Sequence, residues 1–289
     1  MASGRLAGGP FTSGLTVPDF AACLQMGLEP VGFVQGFCVM KWGWYGANSQ
    51  YLRSGSPYGA SHGQYAEQWR CPHGFVSNEH RTWGQNYEQP WVEGAWGQGF
   101  GSAYERMLQE AVACGAHGVV GVVDTSMHLG DTGALEFHVR GTAVKVVDGP
   151  APHGGIPWTT YLAGQRLAKL IEAGYAPVAI AASVASVRVW AYCITEYLMG
   201  GNAGTWGMQS STSEIEQVAK AHMAVRRIAR DHVRGQLAGD SFLGAQMSVS
   251  ERELSEGDQV IECTLRGNRV RRFKEFDPLP APRPTVRLS

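Results

Sequence analysis

The chain has 289 residues, with 24 lysines and arginines, 25 aspartates and glutamates, and a formal net charge of −1. This balance gives no electrostatic basis for binding nucleic acid or an anionic membrane, so neither is expected as a partner. Hydrophobic residues make up 44% of the chain, but no stretch approaches the ~18 apolar residues of a membrane helix, and no signal peptide is predicted. The six cysteines are scattered without a Cys-x-x-Cys pair. We therefore expect a cytoplasmic protein whose length suits two domains.

The first half of the chain predicts an α+β unit. A short helix is expected from an Asp19 cap to about Met26, with Pro30 ending it and residues 31–40 forming a buried strand. A long helix is predicted over residues 90–114, although its four glycines each cost about 1 kcal/mol relative to alanine. We expect these glycines to let another backbone come close. Strands over residues 119–123 and 135–147, joined by a polar hairpin, complete the unit.

The second half repeats the same order of elements. Helices are predicted over residues 161–173 and 214–237, the latter with the capping box Ser211-x-x-Glu214. Strands are predicted over residues 178–190, 242–249 and 259–273. The Gly/Pro-rich residues 149–157 are interpreted as a linker, and the Pro-rich residues 277–289 as a tail.

Three short segments show that the halves are copies. Residues 27–32 return at 174–179, residues 118–122 at 241–245, and residues 136–141 at 262–267, in the same order. This pattern indicates a tandem duplication, with one domain over residues 1–148, including an insertion at about 41–89, and the other over residues 158–276.

The first copy resembles a known family. The segment SAYERMLQEAVACGAHGVVGVV, ending in EFHVRGTAVK, resembles the signature of the YbjQ-like family, often labelled heavy-metal-binding, and GLEPVGFVQG resembles the opening of its tandem-domain members. In the second copy the motif GAHGVVGV has become GDSFLGA. The resemblance implies two tandem YbjQ-like domains, each a small, mostly antiparallel sheet packed by a short and a long helix. It also implies assembly into rings, commonly pentamers, without an established catalytic activity.

One candidate metal site lies in the insertion. Four soft or borderline ligands for zinc or copper occur there: His62, Cys71, His73 and His80. Their spacing matches no standard zinc framework, so the alternative is a polar loop rich in histidine and aromatic residues. None of the soft ligands in the matched segments of the first copy has a soft-ligand counterpart in the second.

Two further groups of residues are candidates for an assembly interface. An acid and a base four residues apart recur on the last strand of each copy, as Glu136 with Arg140 and as Glu262 with Arg266. They suit a ring interface or an intersheet salt bridge, and the alternative is an exposed ion pair worth about 0–1 kcal/mol. The second group consists of tryptophans in and after the insertion, Trp42, Trp44, Trp91 and Trp96. Such aromatics suit local packing, an interface, or stacking on a ring-shaped ligand.

The sequence contains no nucleophile elbow, phosphate loop or His-Glu-x-x-His helix, so catalysis is not predicted. The leading hypothesis is a non-enzymatic, ring-forming homo-oligomer whose partner is a copy of itself. The alternatives are a metal-binding protein that uses the His/Cys loop and a small-molecule binder that uses the tryptophan-rich insertion.

Overall fold

The computed structural model describes residues 12–41, 69–70, 76–77, 85–129, 134–147, 149, 153–191, 195, 214–255 and 258–275. The helices are α1 (Val17–Gln25), α2 (Pro90–Ala113), α3 (Gly164–Glu172) and α4 (Glu216–Gln236), with a 3-10 turn at His153–Gly155. The strands are β1 (Leu28–Lys41), β2 (Trp69–Arg70), β3 (Val76–Ser77), β4 (Asn86–Glu88), β5 (Gly118–Leu129), β6 (Ala134–Val146), β7 (Trp158–Thr159), β8 (Tyr175–Val189), β9 (Ser241–Ser255) and β10 (Asp258–Arg272). Within these described ranges, no helix is long and apolar enough to cross a membrane.

Two four-stranded sheets share one plan. Sheet 1 has the order β1-β6-β5-β7 and sheet 2 the order β4-β8-β10-β9, while β2 and β3 form a separate pair. The antiparallel trio β1-β6-β5 recurs as β8-β10-β9. A short helix precedes the first strand of each trio and a long helix precedes the last two. The predicted α+β class is therefore confirmed, and the repeated segments occupy equivalent elements.

The ends of α1 differ from the prediction. The N-cap is Thr16 rather than Asp19: the Thr16 hydroxyl donates to Asp19 Oδ2 at 2.7 Å, and the Asp19 amide donates back at 3.4 Å. The Thr16 side chain thus caps the helix, and Asp19 at the third helical position accepts a hydrogen bond from the Thr16 hydroxyl. Gly27, at φ +72°, follows the helix, and Pro30 lies inside β1, where the pairing register shifts. Proline is tolerated at such an irregularity because a donor is not needed there.

The long helix α2 is confirmed, but the expected use of its glycines is wrong. A Cβ at Gly94, Gly97 or Gly101 would meet nothing within 4 Å. A Cβ at Gly99 would meet the Phe137 ring, not another backbone, at 2.3 Å. The close approach of backbones occurs at Gly36 of β1 instead, where a Cβ would lie 1.8 Å from a carbonyl oxygen of α2.

Three apolar clusters hold these layers together. The first joins α2 to sheet 1 and includes Val34, Ala103, Met107, Phe137 and Val139. The second joins α4 to sheet 2 and includes Ala185, Val225, Ala229, Ile261 and Cys263. The third lies where α1 meets α3 and draws on both copies, through Cys23, Leu28, Val120, Val144, Leu167, Leu170 and Val270. The two copies therefore share buried surface.

Candidate assembly interface

The second copy begins with a lead-in segment, residues 158–162, that adds to the edge of sheet 1. β7 pairs with β5 in parallel. The Thr160 amide donates to the Val119 carbonyl at 3.0 Å, and the amides of Gly121 and Val122 donate to the carbonyls of Leu162 and Thr160, each at 3.0 Å. The edge of the first copy is thus closed by backbone hydrogen bonds from the second.

A second backbone connection runs in the opposite direction. The short strand β4 of the first copy pairs antiparallel with the outer edge of β8. Just beyond it, the Gln89 amide donates to the Ser186 carbonyl at 2.8 Å, and the Ser186 hydroxyl donates to Gln89 Oε1 at 2.8 Å. Each copy therefore contributes an edge strand to the other's sheet.

Helix α2 packs between the two sheets. Gly99 and Ala103 of the helix face sheet 1, while Ile180, Ala182 and Val184 of β8 belong to the same apolar cluster as the helix. At the boundary the Tyr104 hydroxyl lies 2.8 Å from Thr159 Oγ1, and burial raises the pKa of Tyr104. The face of sheet 2 opposite α4 is thus covered by the helix of the other copy.

One buried ion pair crosses the boundary. Arg266 Nε of β10 donates to Asp124 Oδ2 of β5 at 2.7 Å, and the Asp124 side chain is only 4% exposed. Burial and the nearby Asp124 carboxylate raise the pKa of Tyr161. The sequence singled out Arg266, but nothing local in it links Arg266 to Asp124, which lies 142 residues away.

The alternative interpretation, an exposed ion pair between each acid and the base four residues later, does not describe these residues. Four residues along a strand span about 13 Å, which is too far for direct contact. Glu136 instead contacts Nε2 of His138, two residues away, and Arg140 is exposed. Glu262 is partly buried opposite Ser186 and Ser250. The use of these four residues in a contact between chains stays a prediction.

A cluster of two acids and a histidine also joins the copies. Glu93 of α2 lies with its Oε2 atom 3.5 Å from Nδ1 of His232 of α4, and the Glu88 carboxylate is close to both. Burial raises the pKa of Glu93. The sequence gives no sign of this cluster, because the two helices are remote in sequence.

The tryptophan candidates divide into two groups. Trp42 and Trp44 lie outside the described residues, as does the side chain of Trp91. Trp96 is 7% exposed, stacks on Phe100 with ring centroids 4.8 Å apart, and meets Phe137 edge-on. The structure therefore places Trp96 in the core of the chain, because α2 turns this side chain towards sheet 1. The four metal candidates, His62, Cys71, His73 and His80, also lie outside the described residues.

Part of the surface of sheet 1 that faces away from α2 is covered by no other element of the described residues. We call it the open face; it is formed by three rows of cross-strand neighbours, namely Gln35, Arg140 and Val123; Phe37, His138 and Thr125; and Val39, Glu136 and Met127. Its apolar members are well exposed: Phe37 at 43%, Val39 at 46%, Val123 at 46% and Met127 at 54%. The corresponding part of β8 in sheet 2 lies under α2.

The comparisons with known proteins overturn the family resemblance. No family model matches the chain, and no solved structure matches it significantly. The YbjQ-like assignment is therefore wrong, and the heavy-metal label and the pentamer number that came with it lose their basis. The motif that suggested the family combines a glycine turn with a valine-rich strand, which any buried strand after a helix can use.

A curated relative matches along most of the chain. It is an encapsulin nanocompartment protein of Mycobacterium tuberculosis, 26% identical over 269 residues. The match covers 91% of this chain and 86% of the relative. Both copies of the duplication, and not one alone, are thus similar to an encapsulin nanocompartment protein.

Proposed function

We propose that this chain is a structural protein that assembles with copies of itself into a closed homo-oligomer of the nanocompartment kind. The observation that carries the proposal is the similarity to an encapsulin nanocompartment protein over 91% of the chain. In this proposal the chain builds an assembly and performs no catalytic step. The metal-binding and small-molecule hypotheses depended on residues outside the described part of the chain, and neither is carried further.

Two surface features support self-assembly. β9 is the last strand of sheet 2, and its outer edge has no neighbouring strand among the described residues. Exposed edges of this kind are templates for pairing with another chain. The open face of sheet 1 adds four exposed apolar side chains on one surface. Clustered apolar exposure marks contact sites more often than isolated exposure does.

Native mass spectrometry of untagged protein, with negative-stain electron microscopy of the same sample, tests the proposal. We expect one dominant species whose mass is a whole multiple of the chain mass, and closed particles on the grid. A chain that stays monomeric at micromolar concentration would overturn the proposal.

A further inference from the structure

Three side-chain hydrogen bonds shape the lead-in segment of the second copy. The Thr160 hydroxyl donates to Asn268 Oδ1 at 2.8 Å, and the Tyr161 amide donates to the same oxygen at 2.8 Å. The Leu162 amide donates to Thr160 Oγ1 at 3.1 Å. These bonds hold the segment against β10 in the conformation that pairs with β5.

The first copy has an equivalent lead-in segment, residues 12–15, held in the same way. Ser13 Oγ lies 3.3 Å from Thr142 Oγ1, and the Gly14 amide donates to that oxygen at 3.1 Å. The Leu15 amide donates to Ser13 Oγ at 3.1 Å. Thr142 occupies in β6 the position of Asn268 in β10. Thr142 pairs with Val120 of β5 and Asn268 pairs with Leu243 of β9, and the strand register shifts next to each of these pairs. This segment is therefore prepared for pairing, yet no strand among the described residues lies beside it.

Strand β9 provides the missing partner surface, because it is the counterpart of β5. Both strands break register at the same place, between Val120 and Val123 in β5 and between Leu243 and Gln246 in β9. Each break contains a glycine at positive φ, Gly121 at +61° and Gly244 at +66°. Such a bulge is a specific feature of a strand and not a random irregularity. In β5 this stretch is buried under the lead-in segment, whereas residues 243–245 of β9 are exposed.

Among the described residues, the long strand β1 also has an edge without a neighbouring strand, but this edge is less suited to pairing. On β1, the Gln35 amide donates to Glu110 Oε2 of α2 at 2.8 Å, and the Arg106 guanidinium donates to the Phe37 carbonyl. These side chains occupy backbone groups that another strand would need. The edge of β9 is therefore the better acceptor.

We propose that residues 12–15 of one chain add in parallel to β9 of a neighbouring chain and thereby repeat the internal contact between the two copies. Two backbone hydrogen bonds of the internal contact have equivalents between the chains. In these, the Ser13 amide donates to the Phe242 carbonyl, and the Ala245 amide donates to the Ser13 carbonyl. The neighbour's α4 then lies over the open face of sheet 1, as α2 lies over sheet 2. This inference rests on the proposed self-assembly and assigns the surfaces that make it.

The exposures on the open face fit this arrangement. Phe37 is 43% exposed, whereas its counterpart Val184 is 7% exposed under α2. Val39 is likewise exposed where its counterpart Ser186 is fully buried. The first copy thus displays apolar side chains at positions that the internal contact covers in the second.

The contact between chains is more polar than the internal one. The carbonyl of Ala103 in α2 lies against Gly36, and the carbonyl of Ala229 in α4 accepts a hydrogen bond from Ser183, the counterpart of Gly36, so Ala103 and Ala229 are equivalent. The residue that follows Ala103 is Tyr104, whereas Ala229 is followed by the exposed Arg230. Because the donor and acceptor surfaces differ, the contact is heterologous and produces either a closed ring or an open filament.

Three aspartate substitutions at exposed apolar positions test the inference. Leu243→Asp alters the β9 surface: Leu243 is 37% exposed, but its counterpart Val120 is fully buried in the internal contact. Phe37→Asp alters the open face in the same manner. Val147→Asp is the matched control, because Val147 at 52% and its counterpart Phe273 at 59% are both exposed despite the internal contact. Burying an unpaired carboxylate opposes assembly, whereas exposing one on a monomer does not.

Native mass spectrometry is performed on each variant, with circular dichroism to confirm folding. We expect Leu243→Asp and Phe37→Asp to be monomeric at concentrations at least tenfold above those at which wild type assembles, and Val147→Asp to match wild type. An equimolar mixture of the two monomeric variants should form a dimer, since each retains the surface that the other lacks. Leu243→Ser and Phe37→Ser replace the aspartate variants if either misfolds.

The outcomes separate this inference from the proposed function. A multimeric wild type whose Leu243 and Phe37 variants also remain multimeric would overturn the assigned surfaces but not self-assembly. A mixture that stays monomeric would exclude the head-to-tail contact. A monomeric wild type would remove both proposals.

Discussion

Alanine substitutions at two glycines of α2 test how the helix packs on sheet 1. A Cβ at Gly99 would lie 2.3 Å from Cε2 and 2.6 Å from Cδ2 of Phe137, whereas one at Gly97 would meet nothing within 4 Å. Carbon atoms normally approach to about 3.5–4.0 Å, so the ring would have to retreat by more than about 1 Å. Phe137 is 1% exposed and is held edge-on by Trp96, with ring centroids 6.2 Å apart. Overpacking of this kind costs about 1–3 kcal/mol.

The comparison isolates the packing effect because both substitutions gain the same helix propensity, about 1 kcal/mol. We expect Gly97→Ala to raise the free energy of unfolding by that amount, and Gly99→Ala to be about 1–3 kcal/mol less stable than Gly97→Ala. Urea denaturation followed by circular dichroism at one protein concentration measures both, since assembly makes stability depend on concentration. Equal stabilities, within about 0.5 kcal/mol, would refute the packing argument.

Three further substitutions, and a fourth as a control, test the charged contacts. Asp124→Asn should lower the free energy of unfolding by about 2 kcal/mol, since it breaks a largely buried pair with Arg266. As a control, Asp231→Asn breaks an exposed pair with Arg234 and should change the free energy of unfolding by less than about 0.5 kcal/mol. Hydrogen bonds from two arginines of β10 lower the pKa of Asp240 below its ordinary value of 3.8. The contribution of the Asp240 carboxylate to the stability of the fold is therefore complete above pH 3.8 and is lost as the pH falls through the pKa of the folded state. The stability difference between wild type and Asp240→Asn should therefore be present at neutral pH and shrink at about pH 2, and a constant difference would contradict this. Burial raises the pKa of Glu93, so wild type should gain stability relative to Glu93→Gln as the pH is lowered from neutral towards 4.5. A series of thermal melts measures this difference, and a loss of stability of wild type relative to the variant would contradict the raised pKa.

The duplication explains how one chain can carry complementary surfaces. The contact between the two copies uses the acceptor edge of the first and the lead-in segment of the second. The acceptor edge of the second copy, on β9, and the lead-in segment of the first have no neighbouring strand within the described part of the chain. Because the lead-in segment of only one copy pairs with the other copy, the chain keeps one lead-in segment and one strand edge for a neighbouring chain. This combination is the requirement for head-to-tail assembly.

The sequence by itself determined the duplication, which follows from three repeated segments. It also determined the α+β class and the long helix α2, because these follow from local patterns of apolar spacing, capping and turn residues. It did not determine how the copies meet. The Asp124–Arg266 pair and the burial of Trp96 depend on which faces of α2 and β10 turn inward, which only the packing of the two sheets decides. The same holds for Gly99, whose close neighbour Phe137 lies on a different element. Local patterns set the elements, whereas contacts between residues far apart in sequence are fixed only when those elements pack together.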